Sequence, residues 1–260
     1  MGLIFDSRSA RLYETWYSSP PGRSMERLVE RSLPSLLDPN PGEKVLDVGC
    51  GEGNHLLLLQ RLGLDAYGVD ASSYMIRRAR KRLGNRANLR VGNADDLPFD
   101  DNEFDVAVLI NTLEFLDDPL QALREVGRVT RRRVLIAVMN RLSLYCLLSK
   151  SRSLFRKSIF NDATLYSLWG IKFHLRSVFG RTPIRWQSGH MEGSLLQKVS
   201  GHWPFSSFPF GSFLCVAIDI PYWVRTEQHP LKVGFGKAGQ AAVRGLTMGK
   251  TTRHGGASPE

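Results

Sequence analysis

The sequence predicts a doubly wound α/β domain, and three observations carry that expectation. Residues 44–54, Lys-Val-Leu-Asp-Val-Gly-Cys-Gly-Glu-Gly-Asn, read as the end of a buried strand that stops at Gly49, Gly51 and Gly53 before an apolar run from His55. Further short β-rich runs follow, separated by apolar patterns at helical spacing, the alternation that builds a parallel sheet. Asp70 closes the second run 23 positions beyond Asp47, about the separation at which an acidic strand tip reaches ribose hydroxyls in strand-helix-strand nucleotide sites.

The elements follow in order. Tyr13, Trp16 and Tyr17 precede the turn-rich Ser18-Ser19-Pro20-Pro21-Gly22. Over 24–37, Met25, Leu28, Val29, Leu33, Leu36 and Leu37 fall at helical spacing, with Pro34 expected to shorten or kink that helix. Leu56 to Leu62 predict a core helix ending at Gly63, Ala66 to Val69 a short strand, and Ser72 to Leu83 a basic helix with Met75, Ile76, Ala79 and Leu83 on one face. Asn88 to Val91 is a third strand. Phe104 to Ile110, almost continuously apolar, suits a central parallel strand covered on both faces. Pro119 opens a helix carrying Leu120, Leu123, Val126 and Val129, and Val134 to Met139 is the fifth strand.

Beyond Asn140 this alternation ends. Leu144, Leu147, Leu148, Leu154 and Phe155 recur on one helical face, which suits either a cap helix over a cleft or an interfacial helix on an anionic membrane. Leu165, Leu168, Trp169, Leu175 and Phe179 predict a further helix ending at Gly180, and Ile184 to Gln187 and Phe213 to Ile220 two late strands. The loop between those strands is dense in aromatics and contains His190. From Gln228 onward glycine, polar residues and scattered basics give a tail expected to be disordered.

Glycines at alternate positions between a strand and a helix let the backbone approach a ligand more closely than a Cβ allows. A dinucleotide fingerprint, G-x-G-x-x-G, would need a glycine at position 54, where this chain has Asn54. Asp47 followed by Gly49-x-Gly51-x-Gly53 instead resembles the first motif of the class I S-adenosylmethionine-dependent methyltransferases. Gly92-Asn93-Ala94-Asp95-Asp96-Leu97-Pro98-Phe99 resembles that family's Gly-Asp-Ala-Glu-x-Leu-Pro-Phe segment, and Asn111 to Pro119 follows in matching order. The kinship is closest to small-molecule enzymes of the ubiquinone and menaquinone biosynthesis type.

The resemblance implies a seven-stranded Rossmann-like sheet, its last strand antiparallel between the fifth and sixth, an inserted helical cap, and S-adenosylmethionine as cofactor. It implies cofactor-binding roles for Asp47, Gly49, Cys50, Gly51 and Gly53 at the glycine turn, for Asp70, Ala71 and Met75, for Asn93 and Ala94 near adenine, and for Asn111 at the methionine part. Asn93 stands where the family has an acid; its amide oxygen still accepts a hydrogen bond but brings no charge. Asp70 also reads as a cap for the next helix together with Ser72. The Tyr13-x-x-Trp16-Tyr17 segment is expected to form a lid that excludes water, with packing as the alternative. Glu114 is expected to face the transfer site as first candidate for a general base and His190 as second, against plainer roles in packing or a surface hydrogen bond. Thr130-Arg131-Arg132-Arg133 replaces the family's Lys-Pro-Gly-Gly and is expected to be a loop. The chain then divides into a lid and helix at 1–43, a cofactor-binding core at 44–140, a helical cap at 141–183, late strands with an aromatic substrate loop at 184–227 and a basic tail at 228–260.

Composition bounds the function. At 260 residues and 42% hydrophobic content, one substantial core can form. Cys50, Cys146 and Cys215 have no ligand or disulfide spacing, so no metal is expected. No basic segment precedes an apolar one near Met1, and no apolar run approaches the roughly 18 residues of a membrane span, which leads to the expectation of a soluble cytoplasmic chain. Between Arg128 and Arg185, 13 Lys and Arg face one acid, Asp162, a local +12 in a chain of net +10. Such a block is a solvated face, or it attracts phosphates, anionic lipid or an acidic substrate. The expected reaction is in-line methyl transfer to a small-molecule acceptor, amphiphilic or acidic. A nucleic-acid methyltransferase and a catalytically silent binding protein of the same fold are the alternatives. Nucleic acid is not favoured, because no RNA-binding module or Asn-Pro-Pro-Tyr motif is present. A nicotinamide dehydrogenase is disfavoured by Asn54 and by the lack of an evident Tyr-x-x-x-Lys pair.

Overall fold

A computed structural model describes residues 3–143, 163–189 and 209–221. Its strands are β1 (Lys44–Val48), β2 (Asp65–Asp70), β3 (Asn88–Val91), β4 (Phe104–Ile110), β5 (Thr130–Met139), β6 (Ile184–Gly189) and β7 (Phe213–Asp219). They form one sheet in the order β3-β2-β1-β4-β5-β7-β6. The pairs from β3 through β5 are parallel, and β7 runs antiparallel to both β5 and β6. This is the expected seven-stranded Rossmann-like sheet. Strand order reverses between β1 and β4, so a crevice opens outside their carboxyl ends.

The apolar run of β4 is explained by two cores. Val106, Val108 and Ile110 pack with Met25 and Leu33 of α2 (Pro20–Leu37), Leu59 of α3 (Asn54–Arg61) and Ile76 of α4 (Ser73–Leu83). Ala107 and Leu109 pack on the other face with Val126 of α5 (Pro119–Val129) and Leu175 of α6 (Leu168–Phe179). Helix starts follow local chemistry: Ser19, Ser72, Asp118 and Ser167 each accept a backbone N–H from the first turn they precede. A shorter helix, α1 (Ser7–Tyr17), is capped by Asp6, which accepts from Arg8 N and Ser9 N.

Two expectations are corrected. Pro34 does not shorten α2, which runs on to Leu37 and ends at Asp38 with φ 49°. A mid-helix proline costs about 3 kcal/mol, but Leu33, Leu36 and Leu37 are buried in that turn, and each such burial contributes about 1.5–3 kcal/mol. Thr130 to Arg133 is strand and not loop: Thr130 pairs with Phe104, and a register shift between Phe104 and Val106 absorbs the mismatch. Ion pairs hold the arginines there. Arg131 meets Asp105 at 3.4 Å, Arg132 meets Glu43 at 2.6 Å, and Arg133 meets Asp219 and, at 3.5 Å, Asp38.

Of the helical cap expected at 141–183, residues 144–162 lie outside the described residues, as do His190, the aromatic loop up to residue 208 and the tail from 228. No described helix is long and apolar enough to cross a membrane.

Candidate active site

The chain leaves β1 through Gly49, whose φ of 75° and whose neighbour both demand glycine. A Cβ there would lie 2.4 Å from Cγ2 of Thr112, whose hydroxyl donates to Val48 O at 2.8 Å. The Gly49 and Cys50 amides donate to Val69 O at 2.8 and 3.0 Å, fastening the turn to β2. Gly51, with φ 54°, is different: a Cβ there would meet no atom within 4 Å, because this residue borders open crevice. Gly53 packs under Leu83 at the start of α3.

Asp70 braces this turn. Its Oδ2 accepts from Gly51 N at 2.9 Å and its Oδ1 from Ser72 N at 2.8 Å. Burial raises its pKa, and the two amides oppose that shift. Ser72 Oγ caps α4 through Met75 N, while the Asp70 carboxylate faces the glycine turn.

A cavity of about 340 Å³ lies above the turn. Of the residues expected to bind cofactor, Gly49, Cys50, Gly51, Asp70, Ala71, Met75, Asn93, Ala94 and Asn111 line it. Gly53, Asp47 and Glu114 do not. Asn111 adopts φ 52°, a left-handed conformation uncommon outside glycine. Its Nδ2 donates to Tyr13 Oη at 3.4 Å, and its buried Oδ1 has no partner.

Three aromatic rings also line the cavity: Phe5, Tyr13 and Phe115. The Phe5 ring stands edge-on to Tyr13 at 5.8 Å and to Phe115 at 5.2 Å. Leu3 N donates to Phe115 O at 2.9 Å, and Ser72 Oγ donates to Phe5 O at 2.5 Å. Tyr17 stacks edge-on against His55 at 6.4 Å, and His55 Nε2 is buried without a hydrogen-bond partner. Burial pushes the imidazole of His55 down to about 4, so it is neutral at pH 7. Leu3 to Phe5, His55, Thr112 and Phe115 were not singled out from sequence; His55 reads there as the first residue of an apolar run.

Charge distinguishes the crevice from the rest of the protein. Glu14, Glu52, Asp70, Asp95, Asp117 and Asp118 line it, against a single basic residue, Arg82. Arg78 pairs with Glu14 at 3.3 Å and Glu52 at 2.9 Å and offsets part of that charge. Behind the lining, Asp47 is 1% exposed with Oδ2 unpartnered, and burial, followed by the charge of Asp70, raises it to about 8. Glu114 is equally buried; its Oε1 accepts Met139 N at 2.9 Å, its Oε2 has no partner, and burial raises it to about 7. A carboxylate-lined cleft in a chain of net +10 suits a cation and disfavours a diphosphate. Among the described residues, no three His, Cys, Asp or Glu side chains are grouped to hold a metal.

Fold and site together define a doubly wound domain with a carboxylate-lined crevice where its strand order reverses. Residues 46–138 match a family model described as a methyltransferase domain. That match takes in β1 through most of β5 and agrees with the resemblance to the class I S-adenosylmethionine-dependent methyltransferases. The chain is 35% identical over 107 residues to a demethylmenaquinone methyltransferase of Corynebacterium kroppenstedtii, covering 41% of this chain and 45% of that protein. It is 36% identical over 129 residues to 24-methylenesterol C-methyltransferase 2 of Arabidopsis thaliana, covering 45% and 36%. Across the similar curated proteins the chain spans 29% to 53% of their length. A SAM-dependent methyltransferase of Thermotoga maritima shares the fold with a TM-score of 0.63 at 21% identity, covering 82% of this chain and 97% of that one. Magnesium protoporphyrin IX methyltransferase from Synechocystis, solved with bound SAH, gives 0.59 at 17% identity, with 84% and 96% coverage.

Proposed function

We propose that this chain transfers the methyl group of S-adenosylmethionine to a small-molecule acceptor. One observation supports the reading most directly: the carboxylate of Asp70 and the amide of Gly51 meet at the floor of a cleft whose charged lining is mostly acidic. The glycine turn and Asp70 would hold the ribose end, Asn93 the adenine edge and Asn111, through its unpartnered Oδ1, the methionine part. When bound, the cofactor supplies a methyl group on a positively charged sulfur, already activated toward displacement, so holding the two reactants in line can supply much of the acceleration.

The chain's own residues then exclude water and orient. Phe5, Tyr13 and Phe115 form the cover. Glu114 positions the wall from behind by fixing the Met139 amide; His190 is the candidate base where the acceptor must lose a proton. The acidic lining speaks against a strongly anionic acceptor. Relatives named for a menaquinone precursor and a sterol support an acceptor with a large apolar body. The buried free thiols of Cys50 and Cys215 suit a reducing cytoplasm.

The test is incubation of the full chain with methyl-labelled donor and a cell extract separated into lipid, small-molecule and RNA pools. Label should enter the lipid or small-molecule pool. Label in RNA alone, or no heat of donor binding by calorimetry, overturns the proposal.

A further inference from the structure

The basic block from Arg128 to Arg185 divides in two. At its front, Arg128, Arg131, Arg132 and Arg133 are all ion-paired. At its rear, Lys172 and Arg176 on α6 and Arg181 just beyond it form no ion pair with a described residue. With Thr182, Pro183 and Ile184 they surround a concavity of about 470 Å³. Residues 163–185 contain no acid at all. Cations gathered without a counter-charge repel one another, and burial together with Arg176 already lowers the pKa of Lys172. An anion from outside would relieve that repulsion.

The same helix face is apolar at its start. Trp169 is 55% exposed and Phe173, one turn on, is 68% exposed; Phe210, 37% exposed, packs on Trp169 with ring centroids 6.1 Å apart. This face is held outward by packing and not by chance. Leu168, Ile171, Leu175 and Phe179 are buried, and Phe179 sits so close over Gly127 that a Cβ there would come within 2.6 Å of its ring. Lys172 is steadied over the ring of Trp186 at 5.1 Å. The helix begins beside the carboxyl end of β5, where Arg141 N donates to Tyr166 O, on the edge of the sheet where the crevice opens.

A free phosphate would use the three cations and leave the aromatic rings exposed. Single-stranded RNA is held in a basic groove with bases stacked along it, whereas here the rings stand on the outer side of a helix with cations one turn away. That is the arrangement of a helix lying at a lipid interface, rings at the acyl boundary and cations at the headgroups. We propose that the outer face of α6 docks the protein on an anionic bilayer, with Trp169, Phe173 and Phe210 entering the headgroup boundary and Lys172, Arg176 and Arg181 meeting lipid phosphates. This contact is separate from methyl transfer and is tested without it.

The full chain is floated with phosphatidylcholine vesicles and with vesicles carrying about 30 mol% phosphatidylserine, an anionic surface of physiological type. Partition to the anionic vesicles should exceed the neutral value at least about tenfold and fall as salt is raised. Trp169→Ala with Phe173→Ala, and separately Arg176→Glu with Arg181→Glu, should each reduce it about tenfold or more with unchanged circular dichroism. In the otherwise intact chain, anionic vesicles should shift tryptophan emission to the blue, and Trp169→Phe should remove that shift. Equal partition to both vesicles, partition that survives both double variants, or binding of inorganic phosphate or polyuridylate without vesicles overturns the proposal.

Discussion

Asp70 grips Gly51: its Oδ2 accepts that backbone N–H at 2.9 Å and so ties the tip of β2 to the turn that follows β1. A hydrogen bond to a charged group contributes about 1.5–3 kcal/mol. Asp70→Ala should therefore weaken binding of S-adenosylmethionine by about 10- to 100-fold in calorimetry. Affinity within threefold of the parent would show that the carboxylate serves only the turn.

The two glycines at the turn should fail differently. Gly49→Ala meets Thr112 at 2.4 Å and also carries a left-handed φ, so unfolding should become easier by about 2–4 kcal/mol. Gly51→Ala has room for its methyl and should cost only the conformational term, about 1–2 kcal/mol. That methyl projects toward the crevice, so donor affinity should fall more than stability does. Urea midpoints and donor titrations of both variants separate the two effects.

Asp47 makes stability depend on pH. Its carboxyl titrates near 3.8 when unfolded and is raised to about 8 by burial. Between those values the folded chain keeps a proton that the unfolded chain has released. The contribution of Asp47 is therefore complete below about pH 4 and is lost as pH rises toward 8, by up to about 1.4 kcal/mol per pH unit. Asp47→Asn removes this dependence, so its urea midpoint should gain on the parent between pH 5 and pH 8. Parallel curves would mean that Asp47 is ionised throughout.

Glu114 should behave as a positioning residue. Gln can keep the acceptor on Met139 N while removing the proton that titrates near 7, so Glu114→Gln should leave turnover within about threefold and its pH profile unchanged. Glu114→Ala leaves a buried N–H unpaired and should cost about 1–3 kcal/mol of stability. A pH profile flattened in the Gln variant, with donor binding intact, would return Glu114 to the role of base.

Where the sequence was informative, a single residue pattern answered to a single physical cause. The run from Phe104 to Ile110 suits a strand covered on both faces, and Ser72 and Pro119 mark helix starts that local chemistry decides. The glycine turn and Asp70 were equally open to reading, because backbone approach and a strand-tip acid leave fixed spacings. The failures share the opposite property. Arg131 to Arg133 became strand because of partners as distant in sequence as Glu43 and Asp219. His55 is neutral because it is buried, with Tyr17 packed edge-on against it, and Phe5 joins the site through Ser72, contacts that no local pattern announces. Glu114 takes its expected place from its position beyond β4, whereas the contact of its Oε1 with Met139 N is one that position alone does not give.

The hydroxyl of Ser72 serves two masters at once, accepting from Met75 N at 3.2 Å while its proton goes to Phe5 O. Were Phe5 O to withdraw, only the proton side of that hydroxyl would change partner, and a water molecule could take it. The first turn of α4 keeps its cap, and Met75 keeps its place. The floor of the chamber is thus built independently of the contact that fastens its cover.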